Sequence, residues 1–332
     1  MAVMVSAVSR WWAGVLFMTL ACALAAAAQA GDGGFDDDAL ALVTRLQQAA
    51  HGLDYAGIFI YQQGQTVLSS QIAHVADEAG ERQRIEVLDG RMRREFLRHN
   101  DEVQSLFPEL RLVLVEHRRT EHFPVFFVGE AGALAEYYTI EMEPEPGRVA
   151  GRPCRIAYLD PRDALRWGYR ICVDEQSGLL LKAQTVDPDG DVLEQVAFSE
   201  VHIGEVDPAL LESSHDMRGW RQVRADETVD LRAAGWHIAA PPGFKPISQV
   251  KRTLKHEKNV HQMVLSDGLA AISVFIETYK PERADAAGAV EHGATSVYSR
   301  QQDAFWRTVL GEVPAQTVRQ VAEAIQYEPQ GP

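Results

Sequence analysis

The chain carries few residues whose types and spacing suggest catalysis or metal binding. His256 and His261, with Glu257 between them, come nearest to a zinc-binding helix, but they are five positions apart. Histidines that share one helix face are about four apart. Ser248 and Lys251 match the Ser-x-x-Lys pattern of penicillin-recognising enzymes, without its companion motifs. We therefore predict no metal, no cofactor and no enzymatic activity.

Basic side chains are concentrated in two parts of an otherwise acidic chain. The formal net charge is -15 over 332 residues, which argues against nucleic acid as a partner because phosphate binding requires a basic face. Lys251, Arg252 and Lys255 belong to the cluster in the second half, and we take them as candidates for binding an acidic partner. The cluster of the first half comprises Arg82, Arg84, Arg91, Arg93, Arg94, Arg98, Arg111, Arg118 and Arg119. Such clusters suit an acidic protein segment or a phosphorylated lipid head group, and the alternative is ordinary strand-surface charge balanced by glutamates.

Residues 1–30 have the features of a secretory signal peptide. Arg10 precedes an apolar run over residues 11–28, and Ala28-Gln29-Ala30 offers a small-x-small cleavage site. The alternative is a retained membrane anchor, but the Gly/Asp-rich sequence that follows favours cleavage. No later segment is long and apolar enough to span a bilayer. We therefore predict an exported, periplasmic protein.

Export changes the expectation for the cysteines. After cleavage only Cys154 and Cys172 remain, and an oxidising compartment favours a bridge between them. If residues 160–166 join two strands, Leu159 faces Trp167, and the same register places Cys154 opposite Cys172. Directly opposed residues have Cβ atoms about 4.5–5.5 Å apart, close to disulfide range. The alternative is two buried thiols.

The sequence pattern of the first half predicts one helix followed by many strands. Leu40, Val43, Leu46 and Ala50 repeat at helical spacing within residues 36–51. Candidate strands then follow at 55–62, 67–75, 81–88, 92–98, 102–107 and 110–117. Between residues 152 and 198, short apolar runs alternate with turn residues, which indicates an antiparallel meander.

Two of these strands, 57–61 and 112–115, are apolar on both faces, so we expect them at the centre of a sheet. A curved sheet with an apolar concave face would then leave a groove for lipid chains. The groove candidates are Phe59, Tyr61, Leu112, Leu114 and Phe127. The alternative is a core filled by the protein's own side chains.

The second half forms a smaller β-rich domain. We place the first domain at residues 31–205, a polar connection at 206–230 and the second domain at 231–327. Residues 236–240 open the second domain, and its predicted strands cover 249–256, 260–265, 270–279, 295–302 and 304–310. Val318, Val321 and Ile325 form the apolar stripe of a final helix, with Pro314 near its first turn.

Several short motifs, in their order and spacing, resemble the RseB/MucB family. Those of the first half are Leu53-Asp-Tyr-Ala-Gly-Ile-Phe-Ile-Tyr61, Leu88-Asp-Gly90, Arg93-Arg-Glu95, Gly168-Tyr-Arg170, Asp174 and Leu193-Glu-Gln195. Those of the second half are Pro242-Gly-Phe244, Leu265-Ser-Asp-Gly-Leu269, Ser273-Val-Phe275 and Gly311-Glu-Val-Pro314. The resemblance covers nearly the whole mature chain.

The resemblance implies an α+β fold that is mostly antiparallel β. Its N-terminal domain would be a curved half-barrel with helices, similar to the LolA/LolB lipoprotein carriers, and its smaller C-terminal domain would end in a helix. Such proteins bind the periplasmic part of an RseA/MucA-type anti-sigma factor and shield it from a DegS-type site-1 protease. Acyl chains of lipopolysaccharide or mislocalised lipoproteins are thought to release that hold.

The sequence thus favours a non-enzymatic regulator of the sigma-E envelope-stress response. A lipoprotein or lipid carrier of LolA/LolB type is the alternative, although a carrier would need only the first domain. The sequence leaves open whether the protein forms a homo-oligomer.

Overall fold

The computed structural model describes residues 37–90, 93–117, 123, 127, 129, 131–224, 226–254, 257–280 and 287–328. The predicted signal peptide and Lys255 lie outside the described residues, as do Arg91, Arg118 and Arg119 of the first basic cluster.

The described residues form mostly antiparallel sheet with few helices. The helices are α1 (Asp37–Gly52), α2 (Ala131–Leu134) and α3 (Ala315–Ala324), with 3-10 helices at Pro108–Leu110 and Pro208–Leu211. The strands of the first sheet are β1 (Tyr55–Gln63), β2 (Thr66–Asp77), β3 (Gly80–Val87), β4 (Arg94–His99), β5 (Glu102–Phe107), β6 (Leu112–His117), β7 (Tyr138–Met142), β8 (Gly147–Val149), β9 (Arg152–Pro161), β10 (Gly168–Asp174), β11 (Leu180–Val186), β12 (Val192–Ile203) and β13 (Arg221–Arg224). The remaining strands are β14 (Asp226–Thr228), β15 (Trp236–His237), β16 (Lys245–Leu254), β17 (Glu257–Ser266), β18 (Ala271–Thr278), β19 (Gly288–His292), β20 (Thr295–Gln302), β21 (Phe305–Gly311) and β22 (Gln326–Tyr327). The predicted fold class, α+β with mostly antiparallel strands and a helix near the end of the second half, is confirmed.

Strand order separates the molecule into two main sheets. The first runs β13-β6-β5-β4-β3-β2-β1-β12-β11-β10-β9-β7, with β8 also paired to β9. The second runs β14-β16-β17-β18-β21-β20-β19, and β15 pairs with β22 in a small separate sheet. Residues 236–240, the expected opening of the second domain, contain only the two-residue strand β15. Strand β19 was not predicted, because all five of its residues are exposed and the chain shows no apolar alternation there.

Helix α1 forms where the sequence predicted it. Asp37 and Asp38 lie in its first turn, where a negative charge interacts favourably with the helix dipole. Its buried stripe includes Leu42, Val43 and Leu46, which pack against the β7–β11 part of the first sheet. Leu40, which the periodicity assigned to this stripe, is instead 40% exposed.

The meander predicted from residue 152 onward is present as β9, β10, β11 and β12, each antiparallel to the next. The turn between β11 and β12 is closed by Asp187, whose Oδ1 accepts hydrogen bonds from the backbone N–H groups of Asp189 and Asp191, both at 2.9 Å. Gly190 has φ +87°, a conformation that glycine adopts without steric cost.

The disulfide between Cys154 and Cys172 is confirmed, with a Cα–Cα distance of 5.5 Å. The predicted register was wrong by two residues, because Leu159 faces Tyr169 and Cys154 faces Asp174. A shift of two residues keeps every side chain on its own face of the sheet. The cysteines therefore stay on one face, as diagonal neighbours instead of directly opposed residues.

The two strands predicted at the sheet centre have different positions. Strand β1 lies in the middle of the first sheet, as expected, whereas β6 is one strand from its edge. The prediction for β6 was wrong because another segment covers it. Val113 and Val115 pack with Met217 and Trp220, and the parallel strand β13 pairs along its outer edge.

Residues 206–230 contribute to both sheets. They contain the short helix that the sequence predicted near Pro208, and then β13, which extends the first sheet. Strand β14 follows almost at once and pairs with β16 of the second sheet. The second sheet packs on α3, and its core includes Val274, Val309 and Val318.

Candidate functional site

A cavity of about 400 Å³ lies on the face of the first sheet that carries Phe59 and Tyr61. This volume is in the range of about 300–1,000 Å³ that is typical of small-molecule sites. Its other lining residues from the first half are Ser70, Ile85, Val87, Phe96, Phe123, Tyr169, Leu180, Ala183, Thr185, Glu194, Gln195 and Val196. The second half contributes Leu269, from the connection between β17 and β18, and Glu312, which follows β21. A molecule in the cavity would therefore touch both halves.

Phe59, Phe96 and Phe123 line the cavity, and Phe198 packs against Phe59 and Phe123 without lining it. The ring of Phe123 lies 5.2 Å from that of Phe59 and 5.0 Å from that of Phe198, measured between centroids. Strand pairing explains the arrangement, because Phe59 of β1 is directly opposite Phe198 of β12. Aromatic rings at these separations attract each other and present a continuous apolar surface. This wall suits an alkyl chain.

One end of the cavity is polar. The carboxylate of Glu194 accepts hydrogen bonds from the hydroxyl of Tyr61 at 2.9 Å and from the side-chain amide of Gln63 at 3.2 Å. Thr185 adds a longer contact of 3.5 Å. Burial raises the pKa of Glu194 above its usual value, although these donors act against the shift. Burial and the neighbouring Glu194 also raise the pKa of the Tyr61 hydroxyl.

Glu312 faces the same end from the second half. Its side chain keeps accessible surface because it borders the cavity, while protein atoms surround it on its other sides. Loss of hydration and the negative charge of Glu194 raise the pKa of Glu312 to about 7. The preceding Gly311 lets β21 approach β18 closely, since a Cβ there would lie 2.6 Å from the carbonyl oxygen of Ala271.

A buried arginine connects the two halves beside this site. Arg166, in the connection between β9 and β10, pairs with Asp267 of the second half at 2.9 Å, and both side chains are 0% exposed. It also donates to the carbonyl oxygen of Pro242 at 2.6 Å. Gln63 of β1 also connects the two halves, because its side-chain amide donates to the carbonyl oxygen of His292 at 3.0 Å.

The five predicted groove residues are not brought together. Phe59 and Tyr61 line the cavity. Leu112 and Leu114 are half-buried on β6 and are not among the lining residues. Phe127 is buried in the core beside α1.

The basic candidates of the second half differ in their surroundings. Lys251 is half-buried on β16. Arg252, the next residue, pairs at 3.2 Å with Glu116 of β6, whose side chain is 2% exposed. Arg252 thus holds β16 against the first sheet in this structure, and Lys255 lies outside the described residues.

Sequence reasoning missed Glu194 and Glu312 as site residues. A signal for Glu194 was available, because Glu194, Val196 and Phe198 alternate along β12 and therefore share one face of the sheet. A carboxylate in such an apolar row is unusual. Glu312 gave no comparable signal, since only the docking of the second half brings it to the cavity.

Two features of the described residues bear on the expected class of protein. Within them, no three or more His, Cys, Asp or Glu side chains are grouped so that they could hold a metal ion. None of the helices in the same residues has the length and apolar character needed to cross a membrane.

Comparison with known proteins gives consistent matches over both halves. The MucB/RseB N-terminal domain matches residues 38–224, and the MucB/RseB C-terminal domain matches residues 230–326. The sigma factor AlgU regulatory protein MucB of Pseudomonas aeruginosa is 30% identical over 300 residues, which cover 88% of this chain and 92% of that protein. The sigma-E factor regulatory protein RseB of Salmonella typhimurium is 26% identical over 295 residues, covering 86% of this chain and 90% of that protein.

Solved structures give the same result. In the complex structure of Pseudomonas aeruginosa MucA/MucB, the matching chain has a TM-score of 0.70 and 28% identity, and the match covers 88% of this chain and 100% of that one. The crystal structure of MucB matches with a TM-score of 0.65 and 27% identity over 88% of this chain and 98% of that one. The expected resemblance is confirmed, and this chain belongs to the MucB/RseB family of sigma-factor regulatory proteins.

Proposed function

We propose that this protein is a periplasmic regulator that binds the periplasmic domain of an RseA/MucA-type anti-sigma factor and shields it from site-1 proteolysis. The observation that carries the proposal is the match of both halves to the chain of a MucA/MucB complex, with a TM-score of 0.70. Because shielding requires occupation of the target and not chemistry, the protein would act as a binding protein and not as an enzyme.

An alkyl chain in the cavity is the signal that we propose for release of the anti-sigma factor. The cavity supports this step because Leu269 and Glu312 of the second half border it together with the first sheet. An occupant can therefore favour one arrangement of the two halves over another. A ligand weakens partner binding only by its difference in affinity for the two arrangements. Acyl chains of lipopolysaccharide or of a lipoprotein are the natural candidates.

Lys251 remains our candidate for a contact with the anti-sigma factor, together with Lys255. Arg252 contributes less directly in this proposal, because it is already paired with the buried Glu116. Loss of Arg252 would remove its ion pair with the buried Glu116, so a defect in an Arg252 variant would not distinguish binding from folding.

Protection from proteolysis tests the proposal. The mature protein is mixed with its cognate anti-sigma periplasmic domain and a DegS-type protease, and the rate of cleavage is measured. We expect cleavage to slow as the protein is added, and Lys251→Glu to protect less well. Arg148→Glu on β8, a charge reversal at an exposed cation of the first sheet, is the control and should protect like the parent protein. Unchanged cleavage in the presence of the folded parent protein would contradict the proposal.

The cavity also supports a second candidate function, that of a carrier. A lipoprotein or lipid carrier would need an apolar cavity of this kind but no anti-sigma partner. Capture of binding proteins from an envelope extract on the immobilised mature chain separates the two functions. Recovery of lipoproteins without an anti-sigma factor would favour the carrier.

A further inference from the structure

Strand β19 is an outer strand of the second sheet, and its free edge has no partner in the part of the chain that the structure describes. It pairs with β20 on one side only, from Gly288 opposite Ser299 to His292 opposite Thr295. All five of its residues are exposed, and Val290 is 65% exposed. No backbone hydrogen bond joins its other side to any described residue. An edge of this kind is available for pairing with another strand.

The turn between β19 and β20 determines which residues of β19 direct their backbone groups outward. Gly293 and Ala294 form a two-residue turn, and Gly293 has φ +56°, as the first position of a type II′ turn requires. The flanking residue His292 therefore directs its backbone groups towards β20. Because the direction alternates along an antiparallel strand, Ala289 and Glu291 direct their N–H and C=O groups away from β20.

Two residues of the first half hold this hairpin in place. The side-chain amide of Gln63 donates to the carbonyl oxygen of His292 at 3.0 Å, and the indole N–H of Trp167 donates to that of Ala294 at 2.9 Å. The edge is therefore already ordered before a partner binds, which lowers the entropic cost of pairing.

The other outer strands of the two main sheets have features that oppose pairing. Exposed arginines lie at both ends of β13, and β14 has only three residues, of which Asp226 and Glu227 are acidic. Strand β7 leads into Glu143-Pro-Glu-Pro146, and proline cannot donate to a ladder. Strand β19 contains neither proline nor lysine, the residues that commonly protect an edge.

We propose that β19 pairs with the β19 strand of a second copy of this chain, antiparallel and centred on Val290. In this register Val290 faces its own counterpart, Ala289 faces Glu291, and Gly288 faces His292, so no like charges are opposed. Ala289 and Glu291 are the residues whose backbone groups point outward, and each such pair exchanges two hydrogen bonds across the twofold axis. The strand is thus complementary to itself, which favours a second copy over a different partner.

The dimer should be weak. The paired segment is only five residues long, and interfaces that bury less than about 1,200 Å² are typical of transient association. Both copies are also acidic, with a formal net charge of -15 per chain, and therefore repel each other. We expect a dissociation constant in the micromolar range.

Analytical ultracentrifugation of the mature protein, at concentrations up to about 0.5 mM, measures this association. Ala289→Pro removes an outward N–H from each copy and leaves the ladder with β20 intact, so the dimer should be at least about tenfold weaker. Ala289→Val keeps the N–H group and is the matched control, which should dimerise like the parent protein. Circular dichroism establishes that both variants are folded.

Cross-linking at Val290 tests the register. Directly opposed residues of a non-hydrogen-bonded pair have Cα atoms about 4.5 Å apart, within disulfide range. Cys154 and Cys172 are already bonded to each other, so Val290→Cys introduces the reactive thiol and should form a covalent dimer under mild oxidation. Val67→Cys is the control, because Val67 is 53% exposed on β2, which is paired on both sides. It should cross-link at least about tenfold more slowly, since pairing does not raise the local concentration of that thiol.

The outcomes decide between a second copy and another partner. A monomer over the whole concentration range would overturn the inference, as would a dimer that Ala289→Pro does not weaken or equal cross-linking of the two cysteine variants. If Ala289→Pro leaves the oligomeric state unchanged but reduces protection of the anti-sigma factor, the edge pairs with that partner and the inference is wrong. Failure of the parent protein to protect would contradict the proposed function and leave the dimer unaffected.

Discussion

Arg166 is a fully buried arginine that lies between carboxylates and aromatic rings. Its guanidinium pairs with Asp163 and Asp267 at 3.1 and 2.9 Å, and none of its side chain is exposed. The ring of Tyr137 lies 4.5 Å from the guanidinium carbon and that of Phe244 lies 5.1 Å from it. A fork of five donors between carboxylates and aromatic faces is an arrangement that lysine cannot reproduce.

Removal of this charge should destabilise the protein strongly. Arg166→Met leaves Asp267 buried without its cation, and breaking a buried pair in this way costs about 3–5 kcal/mol. The free energy of unfolding, measured by urea denaturation, should fall by about that amount. Arg218→Met is the matched control, because its ion pair with Asp216 is exposed and water screens such pairs, so its loss should have little effect. Equal effects of the two substitutions would show that the buried pair has no special role.

Glu312 should make the stability of the protein depend on pH. The pKa of its carboxyl group rises from an ordinary value of 4.5 to about 7 on folding. Between these values the folded state keeps a proton that the unfolded chain releases, so its favourable contribution is present at low pH and is lost as the pH rises through about 7. Glu312→Gln should therefore unfold at a temperature close to that of the parent protein at pH 5 and at a higher one at pH 8.

Thermal unfolding of both proteins at pH 5, 6, 7 and 8 measures this difference. If the unfolding temperatures of the two proteins differ by the same amount at every pH, Glu312 has an ordinary pKa in the folded protein. Because only the difference between the two proteins is used, titration of carboxylates distant from Glu312 cancels.

At the scale of single elements, much of the first half could be predicted from the sequence. Alternation of apolar and polar residues gave the positions of β1 to β6 within about two residues, because each strand has one face in the core. The register between β9 and β10 could not be predicted, since it depends on where each strand stops. The strands end at Pro161 and resume at Gly168, so the connection is placed differently from the expected one.

Helix α1 offers an internal test of which apolar residues face the core. Leu46 is 2% exposed and Leu40 is 40% exposed on the same helix. Leu46→Ala should lower the free energy of unfolding by about 2–5 kcal/mol, because it leaves a cavity against the first sheet. Leu40→Ala should change it by less than about 1 kcal/mol. A loss at Leu40 as large as that at Leu46 would favour the stripe expected from periodicity.

The disulfide should stabilise the hairpin of β9 and β10. It closes a loop of 18 residues, and loops of this length correspond to about 3 kcal/mol of stabilisation. Reduction should lower the urea midpoint of the parent protein accordingly. The double variant Cys154→Ala, Cys172→Ala should have the lower midpoint from the start and should not respond to the reductant. A parent protein that is also insensitive to reductant would contradict the expected contribution.

At the scale of the whole molecule, the site depends on docking that local patterns do not encode. Phe59 and Tyr61 could be predicted as cavity residues because they alternate along one strand with a strong apolar character. Leu112 and Leu114 have the same character, but β6 lies five positions from β1 in the sheet order and is covered by the segment that leads to β13. Glu312 reaches the cavity only because the second half packs against the first.

This dependence on both halves leads to a prediction about the intact molecule. If an alkyl chain in the cavity favours the arrangement of the halves that binds the anti-sigma factor less tightly, the two ligands must oppose each other by the same factor. We expect decanol to lower the affinity for the cognate periplasmic domain by about 5–150-fold, the usual range of such coupling. The periplasmic domain, at saturation, should lower the affinity for decanol by an equal factor.

Calorimetric titration of each ligand with and without the other measures both factors. Decanol is used because it is an alkyl chain without a charge. Independent binding of the two ligands would show that the cavity does not control the partner, whatever it holds.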